Sequence, residues 1–64
     1  MEFVILRLPD VMAKTGLSRS SIYERVHKGT FPSQVSLGGR AVGWPSDEVN
    51  SWVESRIKEG RANV

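Results

Sequence analysis

The stretch Gly16-Leu17-Ser18-Arg19-Ser20-Ser21-Ile22-Tyr23-Glu24-Arg25-Val26-His27-Lys28-Gly29 carries signals for both ends of a short helix. Ser18 is a good N-cap, because its hydroxyl can accept a hydrogen bond from a backbone N–H of the first turn. Gly29 suits the position just past the helix, where a left-handed backbone lets otherwise unpaired carbonyls find donors. His27 and Lys28 place donors at the negative end of the dipole. Within these bounds Ile22 and Val26 stand one turn apart and face inward, so Arg19, Ser20, Tyr23 and His27 fall on the opposite, polar side.

Toward the N-terminus, Leu8-Pro9-Asp10-Val11-Met12-Ala13-Lys14-Thr15 reads as an earlier helix with Pro9 at its first position, Asp10 in its first turn and Gly16 as its stop. Leu17 is placed to fold back on its end. Helix, short glycine turn and helix make the outline of a helix-turn-helix, whose second helix enters the DNA major groove while the first crosses the backbone. An ordinary corner between two helices gives the same pattern.

Toward the C-terminus, Pro32 in Thr30-Phe31-Pro32-Ser33 rules out helix continuation, and Phe31 reads as an anchor under the end of the second helix. Gln34-Val35-Ser36-Leu37, Gly38-Gly39 and Arg40-Ala41-Val42-Gly43-Trp44 then read as a hairpin. With a two-residue Gly38-Gly39 turn, Val35, Leu37, Val42 and Trp44 share one face. A three-residue Gly38-Gly39-Arg40 loop shifts the pairing by one and exchanges the inward set on one strand. Both versions put Arg40 near the tip. Pro45 stops the strand, Ser46 is expected to cap a third helix, and Asp47 and Glu48 favour its first turn. Val49, Trp52, Val53 and Ile57 form that helix's apolar side. Residues 2–6 read as an extended segment pairing with the hairpin, and residues 60–64 as a frayed tail. The expected fold is therefore a small α+β winged helix-turn-helix: three helices, a β-hairpin wing and a short N-terminal strand in one domain, 1–64.

A chain of 64 residues without cysteine has no disulfide to staple it and must be held by packing. The candidate core is Phe3, Ile5, Leu8, Val11, Met12, Leu17, Ile22, Val26, Phe31, Val35, Leu37, Val42, Trp44, Val49, Trp52, Val53 and Ile57. One histidine and no cysteine leave no metal-ligand spacing and no nucleophile–base pair, so neither a cofactor nor an enzymatic activity is expected. The sequence holds no apolar run of bilayer-spanning length, and its first residues lack a signal peptide's basic flank; a cytoplasmic location is expected.

Net charge is only +2, but it is unevenly placed. Between Lys14 and Arg40 the cations Lys14, Arg19, Arg25, Lys28 and Arg40 face Glu24 alone, a net +4, and the rest of the chain is −2. A basic block of this kind suits phosphate neutralisation.

Leu6-Arg7-Leu8-Pro9-Asp10-Val11, Thr15 to Tyr23, Phe31-Pro32, Leu37 to Trp44, and Glu48-Val49 with Trp52 together resemble the AlpA family. These are small phage and genomic-island regulators of the MerR-like winged-helix superfamily, related to excisionases. The resemblance runs from about Leu6 to Ile57. It implies double-stranded DNA binding that promotes excision of an integrated element, by architectural help to an integrase, by control of the integrase gene, or by both. It also implies that Ser18, Arg19, Ser20, Ser21 and Tyr23 belong to a recognition helix, and Gly38, Gly39 and Arg40 to a wing.

Each residue type then suggests a chemistry. Arg19 can bond guanine O6 and N7 bidentately or hold a phosphate. Ser20 and Ser21 suit phosphate or cap support better than base reading. Tyr23 can give its hydroxyl to a phosphate or lie partly buried. Glu24 can accept from cytosine N4 or pair with Lys28 one turn on, and the helical pair is the simpler reading. Lys14, Arg25 and Lys28 are candidate phosphate contacts, and His27 lies on the same face. Arg40, on a glycine-flanked tip, can enter a narrow minor groove. Trp44 and Trp52 belong to the core pattern. The expected assembly is a monomer in solution or a weakly cooperative array on DNA. The competing class is an adaptor of the same shape that engages an integrase or other regulator through the third helix, around Glu54, Ile57 and Glu59.

Overall fold

The computed structural model describes residues 2–62, in the order β1 (Ile5–Leu6), α1 (Leu8–Thr15), α2 (Arg19–Lys28), β2 (Val35–Gly38), β3 (Ala41–Pro45) and α3 (Ser46–Ala62). Arg7 is the N-cap of α1, so Pro9 is its second residue rather than its first, and Asp10 its third. From there the Asp10 carboxylate accepts the Arg7 backbone N–H at 3.4 Å, half of a capping box. The left-handed Gly16 closes α1 by donating its N–H to the Met12 carbonyl at 2.8 Å.

The three strands form one antiparallel sheet in the order β1-β3-β2. Leu6 lies opposite Trp44, which puts Leu6 in the core and Ile5 outside, the reverse of the expected inward side. In the hairpin, Val35 pairs with Gly43 and Ser36 with Val42, the register of the three-residue loop. The tip departs from it: Gly38 pairs with Ala41 through a bulge at Leu37, and Gly39 and Arg40 make the turn. The consequence is that Val42 and Trp44 face inward without Val35 and Leu37, which stand on the exposed face.

The core is Leu6, Val11, Ile22, Phe31, Trp44 and Val49, with Leu8, Met12, Leu17, Tyr23, Val26, Val42, Trp52 and Val53 packed half-buried around it. Phe3, Ile5, Val35, Leu37 and Ile57 are exposed, contrary to their assignment from sequence. Helix α3 begins at Ser46 itself, whose N–H donates to the Val4 carbonyl at 2.9 Å, so Ser46 is in the helix and not before it. It also runs through Gly60 to Ala62, where a frayed tail was expected; residues 63 and 64 lie outside the described residues. Its outer half, residues 54–62, is solvent-exposed and carries the ion pairs Glu54–Lys58 and Arg56–Glu59. Pairs at i,i+3 and i,i+4 support the helix as far as Glu59, and Gly60 itself keeps a right-handed helical backbone rather than the left-handed one of a stop. No helix among the described residues is long and apolar enough to cross a membrane.

Candidate nucleic-acid interface

Helix α2 is fixed at both ends by its own residues. Ser18 Oγ accepts the Ser21 backbone N–H at 3.2 Å, and its hydroxyl lies 3.1 Å from that of Ser21. At the other end Gly29, with φ 78°, sends its N–H to the Val26 carbonyl, and Thr30 sends its N–H to Arg25, the paired bonds of a Schellman stop. Two indoles secure the segment beyond. Trp52 Nε1 donates to the Thr30 carbonyl at 2.8 Å and Trp44 Nε1 to the Pro32 carbonyl at 3.0 Å, while Phe31 packs edge-on against Trp52.

Ile22 is fully buried and Val26 half-buried, which leaves Arg19, Ser20, Glu24, His27 and Lys28 exposed along the solvent side. Tyr23 is half-buried. Its ring meets Trp44 edge-on at 6.1 Å between centroids, and the Arg19 guanidinium lies over it at 5.9 Å. The Tyr23 ring thus joins α2 to the central strand of the sheet, and the same ring orients Arg19.

The other cations divide by their partners. Lys28 Nζ bonds Glu24 Oε1 at 2.8 Å, and that hydrogen bond, with the ammonium charge, holds the Glu24 carboxyl below its usual pKa. Arg25 is half-buried with its guanidinium over Trp52 at 5.9 Å. Lys14 Nζ donates to Asn50 Oδ1 at 3.0 Å, a neutral partner that ties α1 to α3 and leaves the charge uncompensated. Arg40 is exposed at the turn of the wing, between left-handed Gly39 and β3. Gly38 and Gly39 both have positive φ, so the tip geometry depends on them.

Sequence reasoning missed two contributors. Thr30 joins Ser21, Glu24, Arg25 and Lys28 around a hollow of about 310 Å³ beside α2. Trp52 serves as the platform for Arg25, and no local signal could show it, because the two are brought together only by the docking of α3. Among the described residues no cluster of His, Cys, Asp and Glu is arranged to hold a metal.

The family model described as Prophage CP4-57 regulatory protein (AlpA) matches residues 4–57, which take in β1, the helix-turn-helix, the hairpin and most of α3. The chain belongs to the AlpA family. The DNA-binding transcriptional activator AlpA of Escherichia coli K12 is 40% identical to it over 60 residues, covering 84% of this chain and 86% of that protein. An uncharacterized protein of Enterobacteria phage P4, ORF88, is 58% identical over 52 residues, or 81% of this chain. The match spans 59% of the phage protein's length. In this AlpA-family chain the matched region contains all the exposed cations of α2 and the wing and stops within the exposed outer half of α3.

Proposed function

We propose that this AlpA-family chain is a sequence-specific double-stranded DNA-binding regulator, with α2 in the major groove and the wing tip on the flanking backbone or minor groove. The contact of Tyr23 with Trp44 carries the reading, because it ties α2 to the inner strand of the wing, the two elements from which Arg19 and Arg40 project. Arg19 reads a guanine, the first turn of α2 approaches phosphate, and Arg40 supplies sequence-independent affinity. The E. coli relative, a DNA-binding transcriptional activator, supports the regulatory part. The finer part is excision of an integrated element, through an integrase or its gene; the family's description as a prophage regulatory protein supports it. The chain acts by binding rather than catalysis, in the cytoplasm, as a monomer or a weakly cooperative array on DNA.

Titration of isotopically labelled protein with a short duplex tests the reading. Salt-sensitive backbone amide shifts centred on residues 18–28 and 38–40 are expected. An absence of shifts even at low salt would overturn it and favour an adaptor that binds protein through α3.

A further inference from the structure

A carboxylate in the middle of a surface that meets phosphates is unfavourable unless it finds a donor on the nucleic acid. Glu24 sits in that position: its side chain is 63% exposed, on the solvent side of α2 between Ser20 and Lys28. In the free protein its donor is Lys28, also 64% exposed and bonded at 2.8 Å. Lys28 in turn borders the hollow with Arg25, Ser21 and Thr30, where one guanidinium and two hydroxyls surround space without a second acid besides Glu24. The Arg25 guanidinium is already steadied by Trp52. The bridge therefore joins a group suited to a base edge with a group suited to a phosphate.

We infer that the Glu24–Lys28 bridge is a partner-exchange device for sequence reading, in which Glu24 turns to a cytosine N4 amine and releases Lys28 to a backbone phosphate beside Arg25. The inference rests on α2 entering the major groove as proposed above. Its chemistry follows from what the groove offers. Cytosine N4 is a donor without the adjoining N7 acceptor that adenine presents, so a carboxylate accepts from cytosine with the least repulsion. Opposite thymine or guanine, Glu24 meets acceptors and keeps Lys28, and the phosphate contact is lost along with the base contact. One wrong base then weakens two interactions.

The exchange is tested by selecting sites from a random duplex library with the full-length chain, wild type, Glu24→Gln and Lys28→Met. Affinities are then measured across a salt series on the selected site and on the same site with one cytosine replaced by thymine. Both substitutions lie at exposed positions, and thermal unfolding confirms that the variants fold. Wild type is expected to prefer cytosine at one position by roughly 5- to 150-fold. Glu24→Gln should lose that preference or move it to adenine, with the other positions unchanged. Lys28→Met should lower the salt slope by about 0.9 on the cytosine site and leave it unchanged on the thymine site. Equal loss on both sites, or a Glu24→Gln variant that binds every duplex more tightly with the same preferences, would overturn the exchange while leaving DNA binding intact. Wild-type chain that selects no site and binds no duplex would overturn both readings.

Discussion

At Gly43 the sheet has no room for a side chain. A β-carbon there would run into Ile5 Cγ2 and stand 3.0 Å from the Leu6 carbonyl oxygen and 3.2 Å from Leu37 Cδ1. The missing side chain is what lets β1 cross β3 closely enough to bury Leu6. Gly43→Val should cost about 1–3 kcal/mol in urea unfolding, with β1 amides losing protection before those of α2. Arg19 is the converse, a residue whose value lies outside the fold. It is exposed, and its one aromatic contact is the Tyr23 ring. Arg19→Ala should leave the unfolding midpoint nearly unchanged, yet cost about 1–3 kcal/mol on the preferred duplex and little on random duplex, as read by fluorescence anisotropy. A parallel loss on both would make Arg19 a phosphate contact.

Elements differ in how much of their geometry is written locally. The bounds of α2 were legible because Ser18 and Gly29 act on backbone groups three or four residues away, and the expected capping bond is present. That dependence gives a prediction: Ser18→Ala should lower stability by about 1 kcal/mol in thermal or denaturant unfolding, whereas Ser20→Ala, exposed and outside the cap, should change it by less than about 0.5. The helix-turn-helix, the hairpin, its tip arginine and the pairing of the N-terminal strand were legible for the same kind of reason. Glu24 with Lys28 was too, being a pair one turn apart on one helix. The wing register was not, because alternation in 35–44 permits two inward sets. The choice was made by Ile5 and Leu37 packing over Gly43 and by Trp44 reaching Pro32. Parity of β1 was hidden likewise, since residues 3–6 are apolar on both sides. The end of α3 was misread because residues 60–64 lack apolar periodicity, whereas the helix keeps a right-handed backbone through Gly60 to Ala62 without burying a face there.

For the molecule as a whole the placement of charge matters more than its sum. The domain measures 44 × 30 × 19 Å, with a long axis that exceeds one Debye length several-fold at physiological salt, so cations at its two ends act on a bound duplex independently. On the outer half of α3 two of the three cations are paired internally, Lys58 with Glu54 at 3.2 Å and Arg56 with Glu59, and among the described residues Arg61 is not. Arg40, Arg25 and Lys14 have no acid within ion-pair distance among the described residues and lie on the wing, α2 and α1. A phosphate contact releases counterions only where the cation is close to the backbone and not already neutralised. Affinity measured by anisotropy across a salt series should therefore fall linearly in logarithmic coordinates. Arg40→Ala should reduce the steepness by about 0.9 and weaken preferred and random duplexes alike. Lys58→Ala should leave both slope and affinity unchanged. Equal effects of the two substitutions would mean that the duplex responds to net charge alone, and the wing would lose its assigned place on the backbone.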